Sequence, residues 1–291
     1  MRTSLIPALA AFVLVFSSCG GGAPQEELTN PGEDSAAVDT RRAKARKIFF
    51  NIPSPMETAT LLKDAGAAYD RKVLNDVLNV DRYTSPSKQA LNLGVYGADL
   101  SYASVFNNTQ ESMFYTSCAK KLADRLGVSD VFSESVVSRM EKNRNDRDSL
   151  LNIISSTYWE VDGQLKDDGR DNISALMIAG GWIEGLYIAT QVADRSKSPE
   201  LRQRIAEQKL SLNDLIELLG TYPEDEVLAG VLNDLRGLAT AFEGVQIGGA
   251  GETTQENGVT VIGGGPAASL TDDQLAAIRD KAATIRNAYI N

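Results

Sequence analysis

The chain has 291 residues, 29 basic against 39 acidic side chains, a formal net charge of −10 and no histidine. Nucleic-acid binding draws on clustered Lys and Arg to release counterions, so an acidic chain of this kind is not expected to bind nucleic acid. The missing histidine excludes Ser-His-Asp and Cys-His catalysis, the HExxH zinc site and histidine-ligated haem.

Arg2 gives a short basic start, Leu5 to Phe16 an apolar run, and Phe16-Ser17-Ser18-Cys19 a small-residue cleavage site. The apolar run is too short to span a bilayer. This stretch resembles the bacterial lipobox, with Phe16 where that motif usually has leucine. The resemblance implies a lipoprotein signal peptide over residues 1–18, lipid on Cys19, and a location in the cell envelope, in the outer membrane facing the periplasm. Residues 19–38 are rich in Gly, Pro, Glu, Asp and Ser with no apolar period, which reads as a flexible tether. Arg41, Arg42, Lys44, Arg46 and Lys47 follow as a basic cluster. It reads as a solvated helix face, or alternatively as a contact for anionic lipid headgroups. Cys118 is the other cysteine, so no intramolecular disulfide is expected, and it reads as a small buried hydrophobe.

From residue 39 to 291 the pattern is helix after helix, with apolar residues three and four apart and short connectors. Ser54-Pro55-Met56-Glu57 is a capping box opening a helix to about Asp64. Further helices are expected over Asp70 to Val80, Ser85 to Phe106, and Thr109 to Leu126 before a Gly127 stop. The series continues over Asp130 to Lys142, Asp146 to Lys166, Asn172 to Arg195, Pro199 to Lys209, Leu212 to Leu219 and Glu224 to Phe242. Residues 245–263 break the pattern: glycines, Asn257-Gly258 and a β-branched run read as a small hairpin. Thr271-Asp272-Asp273-Gln274 is a second capping box, opening a C-terminal helix over 271–289. The expected fold is an all-α, compact multi-helix array with one small β-hairpin. LNLGVYGADLSYASV from Leu91 and LMIAGGWIEGLYIAT from Leu176 align at an offset of 85, placing Glu184 on Asp99 and Tyr187 on Tyr102. On that basis the domain divides into two tandem helical units, about 86–168 and 172–244.

Each of these two stretches carries one charged residue in a long apolar helix, Asp99 and Glu184, which marks both helices as central and buried on all sides. Their glycines, Gly94, Gly97, Gly180, Gly181 and Gly185, each cost about 1 kcal/mol against alanine, and close approach of another backbone or a ligand is the expected return. The apolar run around Trp182, interrupted by Glu184, reads as too short to span a membrane. An isolated buried carboxylate is expensive, so both acids need partners, shifted titration or a cavity. The candidate site is a pocket of Asp99, Glu184, Tyr96, Tyr102, Trp182, Tyr187, Tyr158 and Glu160. A metal at this pocket is left open by the sequence. Two Ser-x-x-Lys spacings, Ser85 to Lys88 and Ser117 to Lys120, lack the Ser-Asp-Asn and Lys-Thr-Gly companions of acyl-transfer enzymes.

Gly180-Gly181-Trp182-Ile183-Glu184 resembles the Gly-x-His-x-x-Glu element of imelysin-like exported proteins, with Trp182 at the place of the histidine and Glu184 one position before that of the glutamate. The resemblance implies duplicated helical bundles and, given Trp182, carries over no metal or iron role. The body is also similar to helical lipoproteins of Gram-negative bacteria, which implies no activity. The expectation from sequence is a non-enzymatic binding or scaffold module, held at the membrane by lipid on Cys19 and engaging an envelope partner or small ligand, with no cofactor. The alternative is an envelope enzyme using Asp99, Glu184 or Glu160 as acid and base.

Overall fold

Ser54 opens the first long helix, α1 (Pro55–Asp64), by accepting from the Glu57 amide while the Glu57 carboxylate accepts from the Ser54 amide at 2.7 Å. The computed structural model describes residues 40, 43–45, 47–48, 51–143, 146–222, 225–248, 253–256, 259–262 and 268–291. The signal peptide, Cys19, the tether, Arg41, Arg42, Arg46 and Asn257-Gly258 lie outside the described residues. The helices that follow it among the described residues are α2 (Pro86–Val105), α3 (Thr109–Arg125), α4 (Glu134–Lys142), α5 (Arg147–Asp167), α6 (Asp171–Ser196), α7 (Pro199–Leu219), α8 (Glu226–Ala239) and α9 (Asp272–Ile290). Strands β1 (Thr253–Glu256) and β2 (Val259–Ile262) pair antiparallel with Glu256 opposite Val259. The fold is all-α in class.

Helices α2 and α6 form the central pair. α3 packs along α2, α7 along α6, and α9 lies across both, while α1 and α5 close the remaining sides. The glycines permit this. A Cβ on Gly94 would stand 1.9 Å from the Met177 carbonyl oxygen, and one on Gly180 would stand 2.0 Å from that of Leu91. The two backbones therefore touch where side chains would have to part them. α6 is by length and composition long enough to cross a bilayer, contrary to the expectation from the sequence. Its burial decides its role: 89% of its most apolar window is covered by the rest of the fold, as in the core helix of a globular domain.

Several boundaries differ from expectation for local reasons. The helix expected over Asp70 to Val80 is two 3₁₀ turns, Arg71–Val73 and Val77–Arg82. Asp70 and Asp76 each turn a carboxylate back onto the amide two residues on, and Leu74 between the turns is extended, so neither turn propagates. Asp130 to Lys142 splits into the 3₁₀ turn Ser129–Phe132 and α4, with non-helical Ser133 between them. The two helices expected between Pro199 and Leu219 are one, α7. Ser211 bonds its hydroxyl back to the Gln208 carbonyl without leaving the helix, and the apolar stripe Leu201, Ile205, Leu212, Leu215, Leu219 runs through it. α8 ends at Ala239, and Thr240–Phe242 is a 3₁₀ turn. Capping boxes set the ends that were read correctly: Thr271 and Gln274 bond each other's backbone amides at the start of α9.

Candidate functional site

Residues 66–83, which carry the two 3₁₀ turns, form a strap laid against α2 and α3. Short turns leave backbone groups unpaired, and where such a segment is covered those groups need partners from side chains. Tyrosines supply many of them. Tyr102 Oη donates to the Ala68 carbonyl at 2.9 Å and accepts from the Asp70 amide at 3.2 Å. Tyr96 Oη donates to the Asp76 carbonyl at 2.9 Å, and Tyr115 Oη to the Asn75 carbonyl at 3.1 Å. Asn75 is a hub, since its amide nitrogen, carbonyl and both side-chain ends are engaged, the last with Tyr83 and Asn79. Asp81 ties the outer end of the strap to Lys121 and Arg125 of α3, and Asp70 ties the other end to Arg195 of α6.

Asp99 on α2 and Glu184 on α6 meet beneath this strap, both 0% exposed. Asp99 Oδ2 accepts from the Asn75 amide at 3.2 Å, and its carboxyl lies within hydrogen-bonding reach of that of Glu184. Glu184 is held by Arg286 of α9 through two parallel bonds, Nε to Oε2 and Nη2 to Oε1, both 2.9 Å. The guanidinium also donates to the Val73 carbonyl at 3.4 Å and lies over the Tyr187 ring at 4.7 Å. Burial first, and the Glu184 charge second, push the Asp99 carboxyl well above the ordinary carboxylate range, against the pull of Arg286 and the Asn75 amide. For Arg286, burial opposes the charge, but Glu184 outweighs it and the guanidinium is held even more firmly protonated than usual. Burial raises the phenols of Tyr96, Tyr102 and Tyr115, so they remain neutral donors.

The eight candidate residues do not form one pocket. Asp99, Glu184 and Tyr187 come together around Arg286, and Tyr96 and Tyr102 flank them by holding the strap. Trp182 projects to α7 instead, its Nε1 donating to Ser211 Oγ at 3.0 Å. Tyr158 packs by Gly97 on another face of α2, because residues two apart on a helix point in nearly opposite directions. There it lines an apolar gap of about 30 Å³ with Pro55, Leu100, Ser101 and Met140. That is room for a water or two; an apolar cavity that admits benzene is about 150 Å³. Glu160 is exposed on α5 and belongs to neither group. Among the described residues, no three His, Cys, Asp or Glu side chains converge to hold a metal ion.

Sequence reasoning missed Arg286 and Asn75. Arg286 had a readable signal, since it stands on the apolar stripe Leu275, Ile278, Ala282, Tyr289 of an amphipathic helix, where an arginine needs a buried anion. Asn75 had none. The Ser-x-x-Lys pairs have structural work: Ser85 caps α2 and Lys88 donates to the Ala288 carbonyl at 2.8 Å, while Ser117 bonds back to Met113 and Lys120 pairs with Asp124. Cys118 is a buried free thiol behind the strap, its Sγ 3.7 Å from the Val77 carbonyl, and burial pushes it up to about 11.

Compared with protein families, characterised proteins and solved structures, the chain matches none of them.

Proposed function

We propose that the chain is a lipid-anchored protein of the cell envelope, held through Cys19 in the outer membrane and facing the periplasm, and that it acts as a non-enzymatic binding or scaffold module. The observation that carries the non-enzymatic part is the commitment of the polar centre to its own chain. Glu184 spends both oxygens on Arg286, Asp99 accepts from Asn75, and the tyrosines spend their hydroxyls on strap carbonyls. A general acid or base has to come within hydrogen-bond reach of a substrate, and both acids are 0% exposed. Glu160, exposed on α5, stands apart from both acids. The anchoring part rests on the signal-like residues 1–19.

Two measurements test the reading separately. Metabolic labelling with a fatty-acid analogue, followed by fractionation, should show lipid on the wild type and none on Cys19→Ala, which should move to the soluble envelope fraction. An unlabelled wild type that stays with membranes at high salt would overturn the anchor. Native mass spectrometry of protein purified from its own host should show a co-purified envelope protein or small ligand. Turnover of a substrate that survives Glu184→Gln and Asp99→Asn would point to chemistry elsewhere; turnover that both variants abolish while remaining folded would restore the enzymatic reading.

A further inference from the structure

The buried triad has one cation for two acids. Arg286 satisfies both oxygens of Glu184. Asp99 is different: Oδ2 has the Asn75 amide, Oδ1 is buried without any donor, and the carboxyl neighbours that of Glu184. Two ionised carboxylates with one guanidinium to offset them would leave an uncompensated charge in the core. A proton on Asp99 removes that charge and gives Oδ1 a bond to make, an O–H donated to Glu184.

We propose that Asp99 and Glu184 hold a single proton, carried on Asp99, and that its loss as pH rises frees the middle of the strap, residues 73–77. The strap is the element that moves because it is the cover. Asn75 lies on Asp99 and Val73 on Arg286, and between its ion-paired ends the strap has short 3₁₀ turns rather than a helix to hold it. An ionised Asp99 regains water only when that cover lifts, whereas α2 and α6 are locked together by backbone contact at Gly94 and Gly180. The titratable and charged groups facing Asp99 are Glu184 and Tyr187 from α6, Arg286 from α9, Tyr96 on α2 itself, Tyr115 and Cys118 from α3, and Tyr69 at the start of the strap. Arg286 is the sole cation among them. The tyrosines and the thiol are all raised by burial, so they stay protonated beside Asp99 and add no charge of their own.

Infrared spectroscopy reads the proton directly. At neutral pH the full chain should show the carbonyl stretch of a protonated, buried carboxyl, shifted by ¹³C in the aspartate side chains and unmoved by ¹³C in the glutamates. The band should vanish in Asp99→Asn, and also in Glu184→Gln, where Asp99 ionises to pair with Arg286. No band, a band surviving Asp99→Asn, or a band shifted by labelled glutamate would overturn the assignment. The strap is read through Cys118, which lies behind Val77 and is the only thiol in Cys19→Ala. At an alkaline pH where the band is gone, thiol labelling should be at least tenfold faster with Asp99 present than with Asp99→Asn at the same pH. Asn mimics the protonated acid and keeps the strap closed. Equal rates would overturn the release. If Asp99→Asn perturbs the thiol, amide hydrogen exchange decides instead: with the base-catalysed rise in intrinsic exchange divided out, the protection of residues 73–77 should fall at alkaline pH while that of α2 and α6 in the same sample does not, and unchanged protection of residues 73–77 would overturn the release.

Discussion

Gly94 and Asp99 stand five residues apart on one helix, and they solve opposite problems. At Gly94 the chain deletes a side chain so that two helices can touch backbone to backbone; each helix satisfies its own amides, so nothing polar is left over. At Asp99 the neighbour is the strap, which does not satisfy itself, and an acid and an arginine are brought in to do so. The comparison teaches that buried charge in this core follows irregular backbone. It also explains why the acids that looked most like a functional site are the ones most occupied with structure.

The sharpest way to break that comparison is to remove the cation. Arg286→Met keeps the apolar stem and packing but leaves Glu184 buried without a counter-charge and Val73 without a donor, so a loss of about 3–5 kcal/mol is expected. Chemical denaturation at neutral pH measures it. A loss under about 1 kcal/mol would mean that the acids take up the missing charge as a second shared proton at little cost. Gly94→Ala attacks the dry half. Its Cβ would sit 1.9 Å from a backbone oxygen that cannot swing away, and the upper end of overpacking costs, about 3 kcal/mol, is expected. The same denaturation series decides it, and a neutral result would mean that α2 and α6 slide apart freely.

Asp99→Asn sharpens the polar half through pH. The native state holds a proton on Asp99 that the unfolded chain releases in the ordinary carboxylate range, about 3.8. Where the native state binds more protons, stability falls as pH rises. Asp99 therefore contributes fully below the unfolded value, and its contribution declines from there until pH passes the raised native value. Across that window the wild type should lose about 1.4 kcal/mol per pH unit relative to Asp99→Asn, which has no proton to lose. Parallel stability profiles of the two proteins would contradict a protonated Asp99.

The helical class and both capping boxes were legible because they depend on neighbours three and four residues away. The close approach at Gly94 and Gly180 was legible too, since glycine in a helix interior is a cost that packing has to repay. The need of Asp99 and Glu184 for partners followed from their burial. What could not be read was the strap. Asp70 to Val80 has helical spacing, and only the competition of Asp70 and Asp76 for backbone amides, together with the tyrosines of α2 and α3, turns it into two short turns. Those tyrosines lie 20 to 40 residues away, beyond any local pattern, and without the strap there is no reason to assign Asn75 or to place Trp182, Tyr158 and Glu160 apart from the acids.

The smallest expected effect separates the two kinds of glycine in α2. Gly97 lies three residues from Gly94 and carries the same intrinsic penalty, but a Cβ there would meet only Tyr158 Cδ2, at 3.9 Å, an ordinary van der Waals distance. No backbone approach repays its cost. Gly97→Ala should therefore stabilise the fold by about 0.5–1 kcal/mol, through helix propensity and partial filling of the apolar gap beside Tyr158. In a domain of this size that raises Tm by about 1–4 °C, a shift a calorimetric scan resolves. Opposite signs at positions 94 and 97 would show that close approach, rather than glycine content as such, is what the central helices require. A loss of stability at both would instead mean that α2 is as tightly packed toward α5 as toward α6, and the contrast between a locked dry face and a looser one would fail.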